Sequence, residues 1–289
     1  MNTALENRGR MLISCPDRPG IVSAVSQFVF EQGGNIVDLE QHSTDPVSGM
    51  FFLRVEFDLT GLGARAADLE ARFAPVAQQF AMDWRLVLAS KIKRLAIFVS
   101  KQDHCLLELL WQWKAGDLRA NIALVIGNHP DLREAVTPYG IPFYHVPVQP
   151  QAKQEAEARH LELLREHQVD VSVFARYMQI VSRDFTAHFP NRIINIHHSF
   201  LPAFIGANPY EQAYRRGVKL IGATAHYVTE ELDAGPIIEQ DVQRVGHRDN
   251  AGDLKRIGRQ IERVVLARAV TAHVDERVLV HGNKTVVFS

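Results

Sequence analysis

Two adjacent histidines at the end of an apolar run are the first residues in this sequence that could carry chemistry. The run reads "IINIHHSFLP" at residues 193–202 and brings Asn195, His197 and His198 together. Alternate residues of a strand point to the same face, so Asn195 and His197 share a face and His198 points away. An imidazole can exchange protons near neutral pH, and an amide N–H can stabilise a developing oxyanion. This spacing makes His197 a candidate for acid–base chemistry with Asn195 on the same face, although each could also be an ordinary polar residue at a strand end.

A metal centre is the alternative use of these histidines, and the sequence does not favour it. About three suitable ligands would have to converge on one ion, whereas neighbours on a strand point to opposite faces. The pattern H-E-x-x-H does not occur, and the chain has only two cysteines, Cys15 and Cys105. We expect no metal and no cofactor. The two cysteines also exclude a disulfide framework.

A candidate carboxylate lies downstream in "GATAHYVTEELDAGPIIEQDV", residues 222–242. The pattern predicts a strand, a loop and a returning strand, with Asp233 in the loop just before Ala234 and Gly235. The backbone can approach a ligand closely at such a glycine. Taken alone, however, Asp233 could equally be a turn residue, so the local pattern leaves its role open.

The elements that position these residues fall into two groups. Residues 1–88 follow the order strand, helix, strand, strand, helix, strand, which is the ferredoxin-like βαββαβ pattern. A short basic connector at 89–94 follows. Over 95–289, apolar strands such as "RLAIFVS" alternate with helices, which predicts a doubly wound Rossmann-like α/β domain with its site beyond the carboxyl ends of the strands. The tail "RVLVHGNKTVVFS" predicts a hairpin that covers a sheet edge.

The first group resembles an ACT domain over about residues 10–88. The resemblance rests on "DRPG" in the first turn and "GGNI" after the first helix. ACT domains are regulatory modules that often pair edge to edge and bind amino acids at the seam. The resemblance implies a homo-oligomer and an effector site near Asp17, Gly20, Asn35 and Ile36.

The second group, about residues 92–289, resembles the folate-dependent formyltransferase family. That family carries N-x-H, S-x-L-P, G-x-T-x-H and D-x-G-P-I in this order. The matching residues are Asn195, His197, Ser199, Leu201, Pro202, Gly222, Thr224, His226, Asp233, Gly235, Pro236 and Ile237. The resemblance implies that Asn195, His197 and Asp233 surround the formyl group of 10-formyltetrahydrofolate. It also implies a pterin pocket at "ARYMQIVS" and the 229–233 loop, formed by Met178, Gln179, Ile180, Thr229 and Leu232.

The formyl acceptor can be water, glycinamide ribonucleotide or initiator methionyl-tRNA among members of this family. A ribonucleotide phosphate would favour a glycine-rich loop after the first strand, yet no glycine lies between Val99 and Leu110. The remaining pattern resembles the branch that hydrolyses 10-formyltetrahydrofolate to formate and tetrahydrofolate in one-carbon and purine metabolism. That resemblance implies regulation by glycine or methionine. The alternative is a formyltransferase to a small amine such as glycinamide ribonucleotide. Two positions depart from the family pattern, Asn208 and Glu211.

The bulk composition limits the partners of the chain. The 289 residues carry a net charge of −1, with 46% hydrophobic and 22% charged residues. A net charge this close to zero gives no excess of positive charge that would attract nucleic acid or an anionic membrane. The polar N-terminus lacks an apolar signal core. We expect a cytoplasmic enzyme with no nucleic-acid or membrane partner.

Overall fold

The computed structural model describes residues 3–45, 48–203 and 209–289. These residues form two compact units. The first contains the chain up to Ile92 together with Glu276–His281 and Val286–Ser289, and the second contains Lys93–Asp275 and Gly282–Thr285. No helix in the described part of the chain is both long and apolar enough to cross a membrane.

The first unit is a four-stranded antiparallel sheet with helices on one face. Its strands lie in the order β2-β3-β1-β4. Apolar residues at alternate positions, such as Ile13 on β1 and Leu53 and Phe57 on β3, pack against Val25 and Phe73 of the helices. The elements are α1 (Thr3–Glu6), β1 (Arg8–Pro16), α2 (Ile21–Glu31), β2 (Asn35–Ser43), β3 (Met50–Asp58), α3 (Leu62–Gln79) and β4 (Asp83–Leu88). The predicted ferredoxin-like order is confirmed.

The second unit is built on a seven-stranded sheet in the order β11-β10-β9-β8-β5-β6-β7. Strands β5 to β9 run parallel, and β10 and β11 are antiparallel to their neighbours, so the sheet is mixed. The elements are β5 (Arg94–Val99), α4 (His104–Ala115), β6 (Asn121–Gly127), α5 (Arg133–Val136), β7 (Phe143–His145), α6 (Lys153–Glu166), β8 (Val171–Ala175), α7 (Arg183–Ala187), β9 (Ile193–His197), α8 (Pro209–Arg216), β10 (Leu220–Tyr227), β11 (Ile237–Arg244) and α9 (Ala251–Val274). The predicted α/β class is confirmed.

The C-terminal hairpin, β12 (Val278–His281) and β13 (Lys284–Val287), packs its apolar residues on a sheet face, whereas its sequence suggested that it covers an edge. Thr285 contacts an edge strand, at Ile237 of β11. Leu279 and Phe288 are buried against Leu12 and Phe52, whose strands β1 and β3 occupy the centre of the first sheet. Leu12 and Phe52 alternate along their strands with the residues that face the helices, so Leu12 and Phe52 lie on the opposite face of the sheet. Glu276–His281 and Val286–Ser289 therefore belong to the first unit, although the sequence pattern assigned everything after residue 95 to the second domain. The apolar positions of the tail match this uncovered face.

Truncation of Phe288 should destabilise the first unit. Phe288 is 5% exposed within this apolar cluster, and loss of a buried phenylalanine side chain typically costs about 3–5 kcal/mol. We expect Phe288→Ala to lower the free energy of unfolding by that amount in urea denaturation. The adjacent Val287 is 43% exposed, so Val287→Ala is a matched control and should change stability by less than about 0.5 kcal/mol. Equal losses in both variants would contradict the packing described here.

Candidate active site

The candidate site lies where β9 and β10 pair. The antiparallel register places His226 of β10 directly opposite Asn195 of β9, and Thr224 opposite His197. Asn195 is half-buried and His197 is buried. The apolar flanks of β9 fix this strand in the centre of the sheet, which leaves its polar residues at the carboxyl end.

Asp233 joins this group from the loop after β10. Its Oδ2 lies 3.1 Å from Nδ1 of His197, and its Oδ1 lies 3.6 Å from Nε2 of His226. The Nε2 atom of His197 is buried and has no hydrogen-bond partner among the described residues. Asp233 thus holds the imidazole of His197 through Nδ1, and Nε2 is left without a hydrogen-bond partner among the described residues. The structure brings together the three catalytic residues predicted from the sequence: Asn195, His197 and Asp233.

His226 is a fourth member of the group that sequence reasoning quoted in a motif but did not assign. Its Nδ1 lies 3.0 Å from the carbonyl oxygen of Tyr227, so this nitrogen carries the proton and donates it. In the neutral ring Nε2 is then an acceptor, and the side-chain N–H of Asn195 donates to it at 3.2 Å. His226 therefore fixes the orientation of the Asn195 side chain, with its NH2 group directed at Nε2 of His226. The histidine of G-x-T-x-H is the sequence signal that could have identified it.

The environment of Asp233 keeps its carboxyl ionised. Burial alone would raise the pKa of Asp233, but the hydrogen bond with His197 and the nearby imidazole of His226 outweigh it and hold the pKa well below its usual range. A carboxyl whose folded-state pKa is depressed stabilises the fold above its unfolded pKa and loses that contribution as the pH falls.

Acid should remove the stabilisation that Asp233 provides. We expect the difference in unfolding free energy between the wild type and Asp233→Asn to be constant above the ordinary Asp pKa of about 4 and to shrink at lower pH. Urea denaturation of both proteins between neutral pH and pH 3 measures it. A difference that grows on acidification would contradict the assigned ionisation.

Motif residues around the catalytic group hold its backbone. The hydroxyl of Thr224 donates to the carbonyl of Ser199 and accepts from the backbone N–H of Leu201, which ties the segment after β9 to β10. Gly235 is required sterically, because a Cβ there would lie 1.8 Å from the carbonyl oxygen of Tyr227. These contacts explain the threonine of G-x-T-x-H and the glycine of D-x-G-P-I.

A cleft adjoins the catalytic group, and its empty volume is about 420 Å³ when the solvent-open part at its mouth is included. Most of the predicted folate-binding residues line it: Gln179, Ile180, Thr229 and Leu232. Met178 is 59% exposed and is not among the lining residues described. Asn195, His226 and Asp233 also line the cleft, so a ligand bound there would reach the catalytic group.

A buried ionic cluster lies behind His197, and we call its four residues the Glu262 cluster: His104, Arg176, Tyr210 and Glu262. Glu262 on α9 is 1% exposed. It accepts a hydrogen bond from Tyr210 at 2.6 Å, lies 2.8 Å from Nε2 of His104 and 3.4 Å from Nε of Arg176. Burial alone would raise the pKa of Glu262, but the hydrogen bond with His104 and the charge of Arg176 lower it.

Three atoms of potential metal ligands converge at this cluster, from His104, Cys105 and Glu262. Two features disfavour a metal ion there. The guanidinium of Arg176 already supplies positive charge beside Glu262, and burial raises the pKa of the Cys105 thiol well above its usual value. The absence of a metal remains a prediction from the sequence.

The predicted effector residues of the first unit do not form one cluster within the chain. Asp17 and Gly20 follow the end of β1, and the hydroxyl of Ser43 donates to Asp17. Asn35 and Ile36 begin β2 and pair with Asp58 and Phe57, at the other end of the sheet. Strands of this length span about 25–30 Å, so one small ligand cannot contact all four residues of one chain. The resemblance could not reveal this separation because it depends on the register.

The two departures from the family pattern lie away from the catalytic group or outside the described residues. Glu211 lies on α8, where its carboxylate is 3.4 Å from Nε of the exposed Arg215. This is an ordinary surface ion pair one helical turn apart. Asn208 falls outside the described residues.

The comparisons agree with this architecture. Residues 10–74 match the ACT domain family, and residues 93–270 match the formyl transferase family. A solved glycinamide ribonucleotide transformylase 1 from Symbiobacterium toebii aligns with 68% of this chain and 95% of its own, at 30% identity and a TM-score of 0.65. The fold and the site thus define a formyl transferase unit that follows an ACT domain.

Relatives that match both units are more similar. A formyltetrahydrofolate deformylase of Bacillus subtilis (strain 168) is 61% identical over 98% of this chain and 95% of its own. A relative of the same name from Synechocystis is 52% identical over 96% of this chain and 98% of its own. The crystal structure of a formyltetrahydrofolate deformylase from Pseudomonas syringae has a TM-score of 0.92 at 51% identity, covering 98% of this chain and 95% of that chain. The chain belongs to the formyltetrahydrofolate deformylase family.

Proposed function

We propose that the protein hydrolyses 10-formyltetrahydrofolate to formate and tetrahydrofolate. The observation that carries this proposal is that Asn195 and Asp233 line a cleft and Asp233 contacts His197, in a chain whose relatives over nearly its full length are named for this reaction. The cleft combines apolar side chains with a few polar groups, which suits a flat pterin ring.

The chemistry follows from the atoms that the catalytic group presents. With the proton on Nδ1 of His197 directed at Asp233, the free Nε2 can accept a proton from water. The water oxygen bonds to the formyl carbon, and the side-chain N–H of Asn195 donates to the resulting oxyanion. The proton then passes from Nε2 to N10 of the folate as the carbon–nitrogen bond breaks. Formic acid leaves and ionises.

Transfer to a small amine such as glycinamide ribonucleotide is the second candidate. It is favoured by the structural similarity of the second unit to the glycinamide ribonucleotide transformylase. It is disfavoured by the segment after β5, "SKQDHCLLELL", which offers no glycine to wrap a phosphate. Water is therefore the better supported acceptor.

The test is to mix the purified protein with 10-formyltetrahydrofolate and to measure formate and tetrahydrofolate directly. We expect the two products in equal amounts without an added acceptor. Consumption that depends on glycinamide ribonucleotide would support transfer instead, and binding without turnover would contradict both.

The first unit supports a regulatory role, because it matches the ACT domain family. We propose glycine and methionine as effectors, with Asp17 and Gly20 the first residues to test. We further propose that the protein forms a homo-oligomer, since its antiparallel sheet has edge strands that can pair. A cytoplasmic location is part of the same proposal, because a folate hydrolase acts where the one-carbon pool lies.

A further inference from the structure

We propose that the Glu262 cluster (His104, Arg176, Tyr210 and Glu262) determines the acceptor, because it fills the space that a second substrate would need and leaves room for water. This inference rests on the proposed hydrolysis and specifies which residues select water.

The position of the cluster in the sheet is the first argument. Strands β5, β8 and β9 are parallel neighbours, so their carboxyl ends lie side by side. Ligands of doubly wound sheets bind in the crevice beyond these ends. Arg176 directly follows β8, and His104 begins α4 five residues after the end of β5. Two side chains of the cluster, those of His104 and Arg176, therefore begin beyond the ends of β5 and β8.

Continuous contact from the catalytic group to the cluster is the second argument. The ring of His197 lies 5.4 Å from that of His198, and the ring of His198 lies 6.0 Å from that of Tyr210. The hydroxyl of Tyr210 donates to Glu262. Burial, together with the charge of Arg176, lowers the pKa of His198 to about 3, so the imidazole of His198 is uncharged at neutral pH. None of the four cluster residues is among those that line the folate cleft.

Glu262 and Tyr210 are held in place by close contacts. Tyr210 reaches Glu262 across Gly258, one turn earlier on α9, where a Cβ would lie 2.0 Å from the tyrosine hydroxyl. The carboxylate of Glu262 has three partners, and a buried charge that loses a partner is costly. The hydroxyl of Ser100 donates to the carbonyl of Tyr177, which ties the ends of β5 and β8 together. An incoming amine would have to displace these contacts.

The experiment measures how the formyl group partitions between water and an amine. Transfer to an amine R–NH2 gives R–NH–CHO and tetrahydrofolate, whereas hydrolysis gives formate and tetrahydrofolate. We would supply hydroxylamine, methylamine or glycinamide at equal concentration and quantify both products by mass spectrometry. With the wild type we expect formate as the main product and a formyl-amine yield that falls steeply with acceptor size. Equal yields from the three amines would overturn the proposal.

The cluster can be opened without leaving a buried charge unpaired. Arg176 has a φ of +64°, a conformation that glycine adopts easily. The double variant Arg176→Gly/Glu262→Gln removes the guanidinium and neutralises its partner. We expect the ratio of formyl-glycinamide to formate to rise by about 10- to 200-fold, the range that small steric differences decide in a tight pocket. Glu262→Gln alone keeps the space filled and should leave the ratio at the wild-type value.

The outcomes separate this proposal from the proposed hydrolysis. An unchanged ratio in a folded double variant that still releases formate would overturn the role of the cluster and leave the hydrolysis standing. A wild type that releases no formate would overturn the hydrolysis. If circular dichroism shows that the double variant is unfolded, the wild-type size series decides.

Discussion

Asp233→Asn should lower the rate of formate release by about two to four orders of magnitude, the usual contribution of a positioned acid–base system. The carboxylate lies 3.1 Å from Nδ1 of His197 and fixes the proton on that nitrogen. An asparagine can direct its own N–H at Nδ1, which moves the ring proton to Nε2 and removes the base that would activate water. Formate release under saturating 10-formyltetrahydrofolate measures the effect.

Asp241→Asn is the matched control for this substitution. Asp241 lies on β11 in the same unit, is partly exposed, and pairs with Arg268 at 3.3 Å. We expect its rate to stay near that of the wild type. Turnover by Asp233→Asn equal to that of the control would reject the role assigned to Asp233.

Asn195→Ala should reduce kcat by about 10²- to 10³-fold, the usual cost of losing one oxyanion donor. Asn195 lines the cleft, and its amide is oriented by the hydrogen bond to His226. Since the oxyanion exists only after the water attacks, we expect KM to change much less than kcat. Steady-state kinetics on the two parameters test this expectation.

Asn121→Ala controls for the loss of an amide. Asn121 is exposed at the start of β6, and its replacement should leave both kinetic parameters near the wild-type values. A rise in KM with kcat unchanged in Asn195→Ala would show that this amide binds substrate and does not stabilise the transition state. Combining Asn195→Ala with Asp233→Asn should cost less than the product of the single effects if the residues act as one unit.

Much of the fold could be predicted because apolar periodicity and turn residues specify each element locally. The buried run of β5 and the alternation on β1 and β3 are examples. The C-terminal tail could not be placed in this way. Its two strands were evident, but which uncovered surface Leu279 and Phe288 would pack against depends on contacts more than 200 residues apart in sequence.

The residues of the candidate site likewise fall into those that the sequence could predict and those that depend on tertiary contacts. The shared face of Asn195 and His197 follows from strand alternation, and Asp233 follows from the resemblance to formyltransferases. The role of His226 depends on the register of β9 and β10, and that of Glu262 depends on how α9 packs behind the sheet. The motif G-x-T-x-H marks His226 but not its partners, and no motif marks Glu262, so the contacts of both residues are revealed only by the three-dimensional structure.

The C-terminal hairpin has a consequence for the order in which the protein can fold during synthesis. The four strands of the first sheet are made first, yet Leu12 and Phe52 stay uncovered on one face until residues 276–289 have been synthesised. At about 5–20 residues per second, this delay lasts on the order of ten seconds or more. The domain that is translated first is thus completed last, and a nascent chain that lacks its final residues should display an apolar surface that chaperones recognise.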